Sequence, residues 1–226
     1  MDDVRGWLAS LPFEWTEACP EAIFFESREA YRSPGRHYHT WDHVLDCVEK
    51  LRSMPCEAPR AAFLALVFHD AVYVAGRKDN EEQSAILAAD VIAEHANLPE
   101  AELAAIQELI LATRDHHAPK GSSPDLRTVL DIDMSILGAP PEAYEAYAEA
   151  VKREWCPAVV TPAQFAAGRM AFLKTLLAGD SIYATAEGRA RWQRPALENI
   201  ARELARLRAS RAPWARLGGW LRRLRG

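Results

Sequence analysis

The chain has 226 residues, of which 49% are hydrophobic and 26% charged, and its formal net charge is −5. This balance is typical of a globular protein with a sizeable core, and the four cysteines, which show no CxxC spacing, predict reduced thiols. No apolar run approaches the ~20 residues needed to cross a bilayer, and residues 1–20 lack a basic start followed by an apolar stretch, so we expect a soluble, cytoplasmic protein.

Helices are predicted along almost the whole chain. Alanine, leucine and glutamate dominate, glycine is scarce, and apolar residues recur at three- and four-residue steps. Stretches rich in proline and glycine, such as SPG at 33–35 and GAPPE at 138–142, separate the helical segments. No alternating strand pattern is present, so the predicted fold class is all-α. The predicted helices are 20–32, 40–53, 58–71, 80–96, 99–115, 125–137, 141–154, 162–178 and 187–210.

Charge is distributed unevenly along the chain. Residues 185–226 carry a net charge of +8, whereas the remaining residues carry −13. We expect one helical domain over residues 1–210 and a basic tail, rich in arginine and tryptophan, over 211–226. The tail could bind the acidic part of its own or a neighbouring subunit in a homo-oligomer. Self-association or disorder is favoured over contact with nucleic acid or with an anionic membrane.

Two segments in the first third of the chain combine histidine with apolar patterning. In RHYHTWDHV, His39 and His43 are four residues apart, so they lie on the same face of a helix that begins near position 40. In FHDAVY, His69 and Asp70 follow the apolar run AAFLALVF directly. Each pattern alone is weak, because a pair of histidines or an HD dipeptide often occurs by chance.

Two further segments carry candidate ligands in the middle of the chain. TRDHH closes a predicted helix with His116 and His117, where a cation also suits the helix dipole. VLDIDMSILG places Asp131 and Asp133 inside an apolar stretch. Aspartate is rarely buried unless it is paired or binds a metal, so this segment indicates a polar site.

Taken together, these side chains predict a metal site. Imidazole and carboxylate groups, each set in an apolar helical stretch, follow one another along the chain, and a helical bundle can gather such groups around an ion. A mixture of nitrogen and oxygen ligands suits Mn, Fe, Co, Ni, Zn or Mg. The candidate ligands are His43, His69, Asp70, His116 and Asp133.

The order H…HD…D resembles that of the HD superfamily of metal-dependent phosphohydrolases, over roughly residues 30–185. The phrases RHYHTWDHV, FHDAVY followed by DNEEQSA, ILATRDHH, DIDMSILG and LLAGDSIYAT are similar to those of a bacterial group of predicted HD hydrolases. YHTWDHVLDCV also resembles the metal motif of cyclic-nucleotide phosphodiesterases, in which one histidine protonates the leaving oxygen and a second binds metal. The resemblance implies an HD-domain helical bundle with a metal site between core helices.

The resemblance also implies ligands. It makes His43, His69, Asp70 and Asp133 the primary ligands of a divalent ion. Asp133 is preferred over Asp131 because DMS matches the family position. Asp131 would instead orient one of the ligands without binding the ion itself.

The number of ions is left open by the sequence. His116, with His117 as the alternative, is a candidate ligand for a second ion. The chain lacks the additional histidine pair of the clearest two-metal members, so one or two ions per chain are expected.

The expected chemistry follows from such an ion. A bound divalent metal lowers the pKa of water from ~15.7 toward ~7 and so generates hydroxide at neutral pH. The predicted catalytic residues are His39, which would protonate the leaving oxygen, and Asp70; His39 as a simple helix-start residue is the alternative. Arg36 or Lys78 could bind substrate by offsetting charge on phosphoryl oxygens.

The expected reaction is hydrolysis of a small phosphorylated substrate, either a phosphate ester or a phosphoanhydride, with a nucleotide-like compound favoured. Two alternatives belong to other classes. One is an HD-fold di-iron oxygenase, which shares the ligand order and would consume oxygen when loaded with iron. The other is a non-catalytic metal- or ligand-binding HD module, which would keep the ligands without turnover.

Overall fold

A computed structural model describes residues 20–223, and the side chains of residues 20–209. The described residues form helices and no β-sheet, so the predicted all-α fold class is confirmed. No helix in this part of the chain has the length and apolarity needed to cross a membrane. The helices are α1 (Pro20–Ala30), α2 (Trp41–Leu51), α3 (Pro59–Phe68), α4 (Asn80–His95), α5 (Glu100–Ala112), α6 (Pro124–Asp133), α7 (Pro141–Trp155), α8 (Pro162–Ala178), α9 (Ala186–Gly188) and α10 (Arg194–Arg223).

Helix α3 is the centre of the larger hydrophobic core. Pro59 opens it, where the missing N–H costs nothing, and every residue from Ala61 to Phe68 is buried. A helix that is apolar on all sides must be enclosed, and α2, α4, α5 and α6 all pack against α3. The apolar run of the sequence is therefore a core helix that carries the residues following it into the interior.

The end of α3 comes earlier than predicted. The N–H of His69 still donates to the carbonyl of Ala65 at 2.8 Å, but the N–H of Ala71 donates to Phe68, three residues back. The chain thus leaves the helix at His69 rather than at position 71. His69 and Asp70 therefore lie in a tight turn at the buried end of α3.

A second, smaller hydrophobic cluster is separate from the larger core. It is formed by the 3-10 segment Met134–Gly138, which follows α6 without a break, together with α7, α8 and α10. Helix α8 begins with a capping box between Thr161 and Gln164, as expected for Thr-Pro-Ala-Gln at a helix start. The members that are most buried are Leu137, Tyr144, Leu173, Tyr183, Ala196 and Ile200.

The last helix is longer than predicted. A π-helical stretch, Arg189–Gln193, leads into α10, whose backbone continues to Arg223, past the predicted end at residue 210. The side chains from residue 210 onward lie outside the described residues. The predictions about the basic tail, and about one domain ending at residue 210, therefore stay predictions.

Candidate metal centre

The candidate ligands come from the ends of three core helices. His43 lies in the first turn of α2, His69 and Asp70 follow α3, and Asp133 is the last residue of α6. His43, His69 and Asp133 are buried, and Asp70 is half-buried. Since α2, α3 and α6 pack against one another, their ends meet at one point between the two hydrophobic clusters.

Four ligand atoms converge at this point. His43 Nε2 lies 3.2 Å from His69 Nε2 and 3.2 Å from Asp133 Oδ1. His69 Nε2 lies 3.0 Å from Asp70 Oδ2 and 3.4 Å from Asp133 Oδ1. Neighbouring ligands of one ion, bound at about 2.1 Å, are separated by about 3.0 Å in octahedral and about 3.4 Å in tetrahedral sites. His43 Nε2 and Asp70 Oδ2 are 4.0 Å apart, and His43, His69 and Asp70 form one group of side chains that could hold a metal ion.

His69 is held in the orientation that a ligand needs. Its Nδ1 lies 2.9 Å from the carbonyl oxygen of Leu66, which can only accept, so Nδ1 carries the proton. In the neutral imidazole that binds a metal, the lone pair is then on Nε2, the nitrogen that faces the carboxylates of Asp70 and Asp133. Histidine ligands commonly donate their other N–H to a carbonyl in this way.

The candidate ligand group contains two carboxylates, and histidines balance their negative charges. Among the described residues, the ion-pair partners of Asp70 and Asp133 are histidines. Burial alone would raise the pKa of each carboxyl, but the charge of His69 holds both pKa values below their usual range. Burial would conversely lower the pKa of His69, yet the two carboxylates raise it. Two ionised carboxylates thus face a buried point with only imidazoles around it, which suits a cation.

Cys47 is a further potential ligand that the sequence did not single out. Its Sγ lies one helical turn from His43, 3.7 Å from both ring nitrogens, and it forms a possible ligand group with His43 and Asp133. Burial raises the pKa of the Cys47 thiol well above its ordinary value. A neutral thiol is a poorer ligand than the two imidazoles and the two carboxylates.

His116, and not His117, joins the cluster. Its Nε2 lies 2.9 Å from Asp133 Oδ2, while Asp133 Oδ1 faces His43 and His69. The backbone of His116 has a φ of 48°, in the left-handed region, which turns the chain sharply after α5. His117 is exposed. The two oxygens of Asp133 thus link the main ligand group to His116.

Asp131 does not contact any of the candidate ligands. Its carboxylate accepts hydrogen bonds from the N–H groups of Ala184 and Thr185, at 2.7 and 2.8 Å, and from Thr185 Oγ1 at 2.5 Å. It therefore anchors the segment that leads into α9. The prediction that Asp131 orients a metal ligand is wrong, because its side chain lies on the opposite face of α6 from Asp133.

The half-buried His39 forms a pair with Glu154, a buried glutamate from α7. Its Nδ1 lies 2.7 Å from Glu154 Oε2, and its ring stacks on Tyr73 with centroids 4.1 Å apart. Glu154 Oε1 also accepts the N–H groups of residues 37, 38 and 39, and Tyr73 donates to Oε2 at 3.0 Å. Glu154 therefore fixes both the backbone and the imidazole of His39.

This pairing sets the protonation of both groups. Burial alone would lower the pKa of His39, but the charges of Asp70 and Glu154 outweigh it and raise this pKa above its ordinary value. Burial would raise the pKa of Glu154, but the hydrogen bond and charge of His39 lower it to about 2. Both shifts favour an imidazolium at His39 paired with an ionised Glu154.

The guanidinium of Arg36 is held by hydrogen bonds to other groups of the protein. All five of its N–H groups donate, so none remains for a phosphate. The predicted role of Arg36 in substrate binding stays a prediction. It joins the segment before α2 to the turn after α3, which keeps His39 beside Asp70. Its acceptors are Ser33 Oγ and the carbonyl oxygens of Ala30, His39, Asp70 and Ala71.

A cavity of about 480 Å³ reaches the cluster from one side. His116, Asp133 and His39 are among its lining residues, whereas Lys78, which is exposed, is not. Tyr38 also lines the cavity, with its ring 4.7 Å from that of His43. The Tyr38 hydroxyl is buried and, among the described residues, has no hydrogen-bond partner. The lining of the cavity thus combines candidate ligands with an unpaired donor.

Sequence reasoning missed Glu154, Tyr38 and the cavity. Glu154 looks like any charged residue of an amphipathic helix, and Tyr38 lies between two histidines without a signal of its own. Comparison of the chain with protein-family models, with curated proteins and with solved structures found no match. The site therefore has to be interpreted from its own chemistry.

Proposed function

We propose that the chain is a metal-dependent phosphohydrolase of the HD superfamily, cleaving a phosphate ester or phosphoanhydride. One observation carries the proposal: Asp133 and His116 of the candidate ligand group line the same cavity as His39, which is hydrogen-bonded to Glu154. Hydrolysis of a phosphate needs an activated water and a proton for the leaving oxygen. The ligand group supports the first requirement and the pair supports the second.

The residues that would hold the ion are His43, His69, Asp70 and Asp133. The first three form one group that could hold an ion, and the mixture of two imidazoles and two carboxylates suits Mn, Fe, Co, Ni, Zn or Mg. Such an ion, when bound, supplies Lewis acidity and a hydroxide nucleophile at neutral pH. A second ion would use His116 together with the outer oxygen of Asp133.

His39 is proposed as the general acid. Its Nδ1–H is held by Glu154, so the proton available for transfer is on Nε2, which has no hydrogen-bond partner among the described residues. The His39 ring centre is 6.3 Å from that of His43, so the proposed acid lies beside the candidate ligands. The unpaired Tyr38 hydroxyl can donate to an oxygen of that group.

The proposal is tested by metal analysis of the purified protein together with a screen of phosphorylated compounds under Mn, Co, Ni and Mg. We expect close to one or two ions per chain and turnover of at least one phosphate ester. Full metal occupancy without turnover under every metal would favour a non-catalytic module. Oxygen consumption by the iron-loaded protein, without phosphate release, would favour the di-iron oxygenase.

Glu154→Gln is expected to move the alkaline limb of the pH–rate profile to lower pH. The acid form of His39 is active, so turnover falls as the pH rises through the pKa of His39. The charge of Glu154 helps to raise that pKa, and glutamine removes the charge while keeping the shape. Turnover at the optimum should fall by roughly tenfold or more.

The matched control is Glu149→Gln, which makes the same change on the exposed face of α7, where Glu149 pairs with Lys152. Both variants are measured from pH 5 to 10 under saturating metal. If the alkaline limb of Glu154→Gln coincided with that of Glu149→Gln, Glu154 would have no part in setting the acidity of His39.

A further inference from the structure

The walls of the cavity identify the class of substrate, on the assumption that the proposed function holds. We infer that the substrate is a monoester that carries a single phosphoryl group on an apolar aromatic or branched aliphatic alcohol. A nucleoside polyphosphate, by contrast, does not suit this cavity. The inference narrows the phosphate esters and anhydrides of the proposed function to one kind of ester.

Most of the cavity is lined by carbon. Away from the ligand group, its walls are aromatic and aliphatic side chains of α7, α8 and the segment between them. A volume of about 480 Å³ lies within the ~300–1,000 Å³ that small-molecule sites occupy, so there is room for more than a phosphate. Filling it with apolar groups removes carbon surface from water on both partners. The main wall residues are Tyr147, Val151, Trp155, Val160, Phe165 and Phe172.

The cavity offers little to a polyphosphate. Of its described lining residues, only Arg169 carries a permanent positive charge. That guanidinium is buried and binds Glu203 at 3.0 and 3.2 Å, and it also donates to the Tyr147 hydroxyl. Sites for di- and triphosphates surround the phosphates with free cations and N–H donors. Here the extra phosphates would meet carbon or an arginine that is already neutralised.

Two polar groups that line the cavity are available to a phosphoryl group. The Nε2 of His39 and the hydroxyl of Tyr38 are both without hydrogen-bond partners among the described residues, and both belong to residues that line the cavity. They lie beside the ligand group at Asp133. Gln164, the polar residue at the mouth, uses its side-chain oxygen to cap α8. Two available polar groups in an otherwise apolar lining match an ester with one phosphoryl group.

Gly168 offers a way to fill the cavity without disturbing the fold. It lies within α8 and lines the cavity, and a Cβ atom added there would have no atom within 4 Å. A larger side chain at this position therefore extends into open space. Ala167, the preceding residue on the same helix, is exposed and does not line the cavity. Gly168→Phe thus adds bulk at a position that lines the cavity, and Ala167→Phe adds similar bulk at a neighbouring position that does not.

The first experiment measures binding by calorimetry, using full-length protein with and without manganese. The probes are 2-naphthylmethanol, 2-naphthylmethylphosphonate, methylphosphonate and a methylene-bridged ATP analogue, none of which can be hydrolysed at the scissile bond. We expect saturable binding of the naphthyl alcohol even without metal. With manganese, the naphthyl phosphonate should bind at least tenfold more tightly than either the methylphosphonate or the ATP analogue. No binding of the alcohol, or tighter binding of the ATP analogue, would overturn the inference.

The second experiment places the naphthyl group in the cavity. Gly168→Phe should weaken binding of the naphthyl alcohol at least tenfold, whereas Ala167→Phe should leave it unchanged, with circular dichroism confirming that both variants are folded. Equal binding by the two variants would also overturn the inference. If the probes bind as expected but the corresponding phosphate ester is not hydrolysed under any metal, the proposed function fails and the assignment of an apolar ligand stands.

Discussion

His69→Ala and Asp133→Ala are each expected to abolish metal binding and phosphate hydrolysis together. Each variant removes one of four converging ligand atoms and leaves a buried group facing a distorted site. With three ligands left, affinity should fall by more than the 10–100-fold that loss of an outer partner costs. Metal content after dialysis, measured by mass spectrometry, and turnover under saturating metal are the two measurements.

Asp131→Ala is the matched control for this prediction. Asp131 is also a buried aspartate of α6, but its three hydrogen bonds hold residues 184 and 185 rather than a ligand. It should keep its metal while losing about 2–3 kcal/mol of unfolding free energy, because three donors lose a charged partner. Loss of metal from Asp131→Ala, with retention by Asp133→Ala, would mean that the ligand has been assigned to the wrong aspartate.

His39→Ala is expected to keep its metal and its fold while slowing turnover by ~10²–10⁴-fold. The loss should be smaller for a nitrophenyl ester than for an alkyl ester, because nitrophenolate needs little protonation to leave. Metal content, melting temperature and rates on the two esters distinguish this role from others. A metal ligand would lose occupancy alongside rate, and a helix-start residue would lose about 1 kcal/mol of stability with turnover near normal.

The control for His39 is its neighbour His37, whose side chain is exposed. His37→Ala keeps the backbone N–H that binds Glu154, so the pair between Glu154 and His39 remains intact. Turnover by His37→Ala should equal that of the unmodified chain. If His39→Ala lost no more activity on the alkyl ester than His37→Ala, the catalytic role of His39 would be refuted.

The sequence by itself determined the helices and the candidate ligands. Helix α3 could be predicted because a continuous apolar run without glycine or internal proline has only one stable place, inside a helical core. The polar cluster that holds the candidate ligands could be predicted because histidine and aspartate are costly in apolar surroundings unless something compensates them. Such costs belong to single residues and their near neighbours, so they are visible in the order of the amino acids.

The tertiary structure alone decided which polar groups meet. Asp131 and Asp133 differ by about 200° around α6, so one faces the ligand group and the other faces residues 184 and 185. Helical periodicity does not indicate which of the two faces the site, because that depends on what packs against each side; the preference for Asp133 rested on the family resemblance of DMS alone. Glu154 lies 115 positions from His39 in the chain, yet the two side chains are hydrogen-bonded. The Arg36 guanidinium donates to the carbonyl oxygen of Asp70, which only the fold brings near. The sequence indicates which side chains need partners. The packing of distant helices determines which partners they meet and the shape of the cavity beside them.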